Sequence, residues 1–181
     1  MRNLIYAINI SLDGCCDHAK MIGNEEIHEY FTQVLRNVDL LVFGRKTYQL
    51  MVPFWPDVAK SHSMTKTANE FADAFDSVSK IVFSQTLDAA ERNTRIVRTK
   101  LRDEILNLKQ EQGKNILTGG VSIPSQLIEL GLVDEYHFVV QPIVVGEGRR
   151  LLESVRLQER LKLVESKIFE SGSVALRYLK L

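Results

Sequence analysis

The sequence predicts an α/β fold, a mostly parallel sheet with helices on both faces and an antiparallel hairpin at its end. Three observations carry that prediction. Short apolar runs alternate with segments of helical period, as in a parallel sheet whose strands are joined by crossover helices. The stretch Ile116 to Leu152 joins a strand, the pair Gly119-Gly120, an amphipathic helix and a second apolar run, which is the layout of a βαβ unit. Arg160 to Phe169 and Val174 to Leu181 alternate apolar and polar residues about Glu170-Ser171-Gly172-Ser173, which reads as a hairpin.

The elements follow in order. Leu4 to Ile10 reads as a buried strand, and Ser11-Leu12-Asp13-Gly14 turns out of it. Glu25 to Val38 carries Ile27, Tyr30, Phe31, Val34, Leu35 and Val38 at helical spacing, with Asn24 as N-cap. Asp39 to Phe43 is a second strand, and Arg45 to Met51 a short helix after the Gly44 turn. Two prolines around Phe54-Trp55 mark Val52 to Asp57 as a loop. Thr65 to Phe75 is a helix, Ser79 to Phe83 and Thr94 to Val97 are strands, and Leu101 to Gln112 is a helix stopped by Gly113. The strand Asn115-Ile116-Leu117 then leads through the glycine pair into a helix reaching Leu130, with Gly131 as its stop, and Tyr136 to Val145 is the next strand.

Composition limits the function classes. The chain has 181 residues, enough for one domain spanning 1–181 with a sizeable core. Its 23 Lys and Arg balance 23 Asp and Glu, so a general nucleic-acid or membrane-surface partner is excluded and any anion site must be local. Cys15 and Cys16 are adjacent, a spacing unsuited to an unstrained disulfide, and no zinc-type Cys/His spacing occurs. The expectation is a reduced, cytoplasmic protein with no metal, no signal peptide and no bilayer span.

Ligands of open α/β sheets bind beyond the C-terminal ends of the strands, and four polar turns fall there. They are Ser11 to Gly14, Gly44-Arg45-Lys46-Thr47, Ser84-Gln85-Thr86, and Thr118-Gly119-Gly120-Val121-Ser122. The glycine pair lets a pyrophosphate approach the backbone at a helix start, or is a plain turn needing positive φ. Arg45 and Lys46 suit a phosphate monoester, although taken alone they read as a solvated basic turn. Asp13 suits a substrate polar group or an exchangeable proton, or serves the turn itself. Glu25, Glu26 and Glu29 sit on the first helix near the cleft, as ligand contacts or as a solvated face. Phe54 and Trp55 either stack on a planar heterocycle or cap the core. His137 reads as structural. No thiol nucleophile is expected, because neither cysteine has a visible histidine partner.

The pieces SLDG (Ser11 to Gly14), VFGRKTYQ (Val42 to Gln49), VFSQTL (Val82 to Leu87) and the run from Ile116 to Leu152 occur in that order over almost the whole chain. In these pieces it resembles the RibD C-terminal domain family of the dihydrofolate reductase-like superfamily, as a stand-alone member. The resemblance implies a dihydrofolate reductase-like three-layer α/β/α fold and an NADPH-dependent reductase. The hydride acceptor would be a small heterocyclic or carbonyl/imine compound, pyrimidinone-like or pterin-like; the alternative is a non-catalytic nucleotide-binding module that keeps the fold. By position it places Gly44, Arg45, Lys46 and Thr47 on the adenosine side with its 2′-phosphate, and Ser84 and Thr86 beside the adenine ribose. Thr118, Gly119, Gly120, Val121 and Ser122 would hold the pyrophosphate. Asp13, and Glu26 on the first helix, become the candidate catalytic carboxylates. Kinship also implies a homodimer. The Cys/His zinc signature of the bifunctional deaminase/reductase does not occur, and after SLDG the chain departs from its relatives at Cys15-Cys16-Asp17-His18.

Overall fold

A computed structural model describes residues 1–91, 93–152 and 154–181. The elements are β1 (Leu4–Ser11), α1 (Glu25–Arg36), β2 (Val38–Gly44), α2 (Arg45–Met51), α3 (Phe54–Ser61), α4 (Lys66–Ser77), β3 (Ser79–Phe83) and β4 (Thr94–Val97). They continue with α5 (Leu101–Gln110), β5 (Asn115–Thr118), α6 (Ser122–Glu129), β6 (Glu135–Gln141), β7 (Leu161–Ile168) and β8 (Val174–Lys180). One eight-stranded sheet runs β4-β3-β2-β5-β1-β6-β8-β7. Strands β1 to β6 are parallel, and the hairpin β8-β7 adds antiparallel to β6. The α/β architecture with its terminal hairpin is therefore the one expected.

Period-two alternation along the strands builds two cores. Leu4 and Tyr6 of β1 face Ile105 and Leu108 of α5 and Ile123 and Leu127 of α6. Ile5 and Ala7 face the opposite way, onto Val34 and Leu35 of α1 and Phe71 and Phe75 of α4. Each fully buried aliphatic side chain, such as Leu4, Ile116 or Leu127, contributes about 1.5–3 kcal/mol by leaving water. These two clusters make the sheet the middle of three layers.

Local chemistry sets the helix ends. Asn24 caps α1 by accepting from Ile27 N at 2.9 Å, with Glu25 and Glu26 in the first turn, where negative charge meets the positive end of the helix dipole. Thr65 caps α4 through Ala68 N. The loop expected over Val52 to Asp57 is instead the start of α3. Pro53 stands at its N-cap and Pro56 in its first turn, where the N–H that proline lacks would have no intrahelical acceptor. Strand β6 stops at Gln141, short of the expected Val145, because Pro142 cannot donate to a ladder. Among the described residues no helix is long and apolar enough to cross a membrane.

Candidate functional site

Strand β5 is inserted between β2 and β1, and the chain leaving it crosses β1 to reach β6. The helix after β1 packs on one face of the sheet and the helix after β5 on the other. Neighbouring strands whose connections leave to opposite faces open a crevice at their C-terminal ends. All four polar turns lie along that edge, because β1, β2, β3 and β5 are parallel.

The turn after β5 is held from both sides. Thr118 is buried and its hydroxyl donates to Val42 O of β2 at 2.9 Å. Tyr6 Oη donates to Gly120 O at 2.8 Å, and burial pushes that phenol well above its usual pKa. Gly120 has φ +79°, a left-handed conformation that disfavours a side chain. Val121 is the N-cap of α6 and makes no side-chain cap bond, so first-turn N–H groups are left to a ligand or to solvent. Arg149 NH2 reaches Ser122 Oγ at 3.1 Å and sets a cation beside that helix start.

The turn after β2 presses against this one. A Cβ on Gly44 would lie 3.0 Å from Ile123 Cγ1, and a Cβ on Gly120 would lie 3.2 Å from Thr47 Cβ and closer still to its hydroxyl. Arg45 and Lys46 are exposed, and Arg45 NH1 donates to Thr86 Oγ1 at 3.0 Å. Ser84 Oγ accepts from Thr86 N at 3.2 Å and Leu87 N at 3.0 Å, which shapes the third turn. The cofactor candidates thus form one connected group: Thr118 to Ser122 against Gly44 and Thr47, and Arg45 against Thr86. Uncapped helix N–H groups, a glycine backbone and the Arg45-Lys46 cations are the donor set that a pyrophosphate and a phosphate monoester need, so the residues fit a phosphorylated dinucleotide.

Asp13 faces the loop after β6. Its carboxylate accepts from Ser11 Oγ at 2.7 Å, Val145 N at 3.1 Å and Gly146 N at 2.9 Å, and Arg150 NH2 stands 3.9 Å away. The Ser11 hydroxyl first, then the two amides, hold its carboxyl well below the usual carboxylate range. It is therefore ionised at neutral pH and accepts protons in hydrogen bonds rather than donating one. Glu26 is placed elsewhere: its carboxylate accepts from Ser171 N at 3.0 Å and Glu170 N at 2.9 Å, in the turn between β7 and β8. Those amides, Ser171 first, lower its pKa.

Asn9 shares the α1 face of the sheet with its β6 partner Val139, which packs on Ile27, and among the described residues nothing hydrogen-bonds to its buried Oδ1. His28 Nδ1 is buried in the same state, and desolvation lowers the pKa of that imidazole. Trp55 packs between His28 and Phe71, at ring-centroid distances of 5.8 and 4.5 Å, so it seals α3 onto α1 and α4. Cys15 and Cys16 are free; Cys16 donates to Arg149 O at 3.1 Å and burial raises its thiol pKa. Glu25 and Glu29 are exposed. Tyr6, Asn9, Arg149 and Arg150 carry no local sequence signal, although the glycine-rich run from Gly146 to Arg150 marks where the two arginines turn back to the site.

The sequence model of the RibD C-terminal domain matches residues 2–175. The chain belongs to the RibD C-terminal domain family. It is 33% identical over 149 residues to the uncharacterized protein YyaP of Bacillus subtilis (strain 168), covering 82% of this chain and 77% of that protein. Among solved structures, it is similar to RibD from Acinetobacter baumannii with a TM-score of 0.72 at 16% identity. That match covers 100% of this chain and 58% of the longer protein. The dihydrofolate reductase of Enterococcus faecalis, solved with NADP(H), is similar with a TM-score of 0.66 at 14% identity, over 98% of this chain and 96% of that one. The fold of this RibD C-terminal domain protein is therefore dihydrofolate reductase-like.

Proposed function

We propose that this RibD C-terminal domain protein is a cytoplasmic NADPH-dependent reductase acting as one domain. It passes a hydride to a small heterocyclic or carbonyl/imine acceptor of pyrimidinone or pterin type. The observation that carries this reading is the packing of the Gly119-Gly120 turn on Gly44 and Thr47, with Arg45 and Thr86 beside it, at the switch point of the sheet. Arg45, with Lys46, Thr86 and the Ser84 turn, binds the 2′-phosphate and the adenosine side. Thr118 to Ser122 present backbone N–H groups to the pyrophosphate, and Arg149 adds positive charge there. Bound NADPH supplies the hydride.

The chain's own residues orient the acceptor and exclude water. Ionised Asp13 fixes the loop carrying Val145, Gly146 and Arg150 and accepts a hydrogen bond from the acceptor. The proton that completes reduction then arrives from water rather than from Asp13 itself. Glu26 acts by holding the hairpin turn at the rim of the same edge.

Titration with NADPH and NADH, read by nicotinamide fluorescence, tests the cofactor. Arg45→Ala is expected to weaken NADPH by about 10- to 100-fold while leaving NADH nearly unchanged, the loss of charge-assisted bonds to one phosphate. Equal weakening of both would remove the 2′-phosphate role. Turnover is screened with dihydrofolate, a pyrimidinone ribosylamino phosphate and simple carbonyl compounds. Asp13→Asn is expected to lower kcat about 100-fold with NADPH affinity intact, because misorientation slows the chemical step without touching the cofactor side. Tight NADPH binding without turnover on any acceptor favours the non-catalytic module instead.

A further inference from the structure

Two buried polar atoms beside helix α1 are orphans at the edge where the cofactor turns converge. Among the described residues nothing hydrogen-bonds to Asn9 Oδ1 or to His28 Nδ1. Asn9 follows Ala7 on the same face of β1 and lies near the C-terminal end of that strand, at Ser11. His28 lies in the first turn of α1. Only Asn37 separates α1 from β2, so the helix ends at the opposite, N-terminal edge of the sheet. Its 12 residues, about 18 Å of helix, carry the first turn back to the C-terminal edge. Asn9 is thus in the floor and His28 in the wall of one end of the crevice. Trp55 stands edge-on to His28 at 5.8 Å, and Phe54 edge-on to Trp55 at 5.0 Å, so that wall is otherwise aromatic.

A buried acceptor without a donor costs stability, and a ligand that brings the donor recovers it. The amide of Asn9 sets an acceptor beside a donor, and its complement is a ring edge with N–H next to C=O. Desolvation holds the His28 imidazole below its ordinary pKa, so at neutral pH it keeps one bare nitrogen that accepts another N–H. A simple ketone or aldehyde brings no N–H and leaves both atoms unpaired.

The rim selects the rest of the molecule. Leu12 N donates to Ile143 O at 2.9 Å and Ile22 N to Gln141 Oε1 at 2.9 Å, which gathers Leu12, Ile22 and Val144 about the ends of β1 and β6. These three side chains are 68%, 64% and 67% exposed. The cations beside them are engaged: Lys20 Nζ lies 3.3 Å from Glu147 Oε1, and Arg150 stands 3.9 Å from the Asp13 carboxylate. A phosphate or a carboxylate tail meets apolar side chains and spent cations there, whereas an apolar substituent covers the rim.

We propose that Asn9 and His28 select the acceptor, and that it is an uncharged cyclic lactam, N–H beside C=O, carrying an apolar substituent. This rests on the reductase reading and narrows its acceptor.

Calorimetric titration, with and without saturating NADP⁺, tests the assignment. The probes are 6-methylpterin, which carries the lactam edge without charge, and its N3-methyl derivative, which lacks the N–H. The parent is expected to bind 6-methylpterin about 100-fold tighter than the derivative. Asn9→Leu should bind both weakly and without preference, yet melt no lower than the parent, because it deletes an unpaired polar atom. His28→Phe keeps the ring packed on Trp55 and should weaken 6-methylpterin about tenfold. A hexyl group in place of the methyl should tighten binding about tenfold, and the glutamate-bearing tail of folate should not. A parent that binds neither pterin, an Asn9→Leu protein that keeps the preference or melts lower, or tighter binding of folate or of a pyrimidinone ribosylamino phosphate each overturns the assignment. A parent that takes 6-methylpterin through Asn9 but no NADPH upholds it and removes the reductase reading instead.

Discussion

Replacing Glu135 with alanine is expected to lower the unfolding free energy by about 3 kcal/mol. Glu135 lies on β6, 5% exposed, and its Oε1 accepts from Arg177 Nε at 2.6 Å and contacts His137 Nε2 at 2.6 Å. Tyr30 Oη stands 2.8 Å from His137 Nδ1. One proton assignment satisfies the whole chain: Tyr30 O–H donates to Nδ1, and Nε2–H donates to Glu135. Burial pushes the Glu135 carboxyl up, but the bonds from His137 and Arg177 outweigh it and hold the pKa below the usual carboxylate range. Desolvation and the charge of Glu165 push the Tyr30 phenol up to about 12, so it stays a donor. Alanine leaves the buried His137 N–H with no acceptor. Arg177 is 37% exposed and can turn to water, which keeps the loss toward the low end for a broken buried pair.

The pH dependence has a definite sign. A carboxyl whose folded pKa is depressed stabilises fully above its unfolded value, and that contribution is lost as pH falls through the folded pKa. Urea unfolding of parent and variant should therefore differ most near neutrality and converge in acid. A loss under about 1 kcal/mol at pH 7 would mean that the network is solvated rather than buried.

The sequence showed the turns better than their partners. Arg45 to Met51, Ser79 to Phe83 and Thr94 to Val97 begin and end where their apolar pattern says, because caps and alternation are local. The convergence of the four turns was legible too, since parallel strands place their C-terminal ends on one edge. Contacts between residues far apart in sequence were not. Tyr6 and Gly120 are 114 residues apart, and Glu26 and Ser171 are 145 apart, so nothing near Glu26 shows that its carboxylate serves the hairpin. At α3, the two prolines predict a loop, yet the first helical turn tolerates proline. For β7, alternation was legible but coverage was not: the pattern is that of a half-buried strand, and only the structure shows that every residue from Lys162 to Ile168 is exposed.

Gly120→Ala is expected to destabilise the fold by about 2–4 kcal/mol and to weaken NADPH about 100-fold. Two separable causes act at this position. The left-handed φ of +79° penalises any side chain by about 1–2 kcal/mol. The new Cβ also drives into Thr47, whose helix cannot retreat while Gly44 is pressed on Ile123. A double-mutant cycle with Thr47→Ala tells them apart. Removing the hydroxyl and methyl of Thr47 relieves the collision and should restore part of the stability, but the backbone strain at residue 120 persists. Tyr6 grips the carbonyl of the same residue, so a strained peptide there also misaims the N–H groups that follow at Val121 and Ser122. NADPH affinity should therefore stay low in the double variant even where stability recovers. Recovery of both together would show that the turn serves packing alone and that the dinucleotide is held elsewhere.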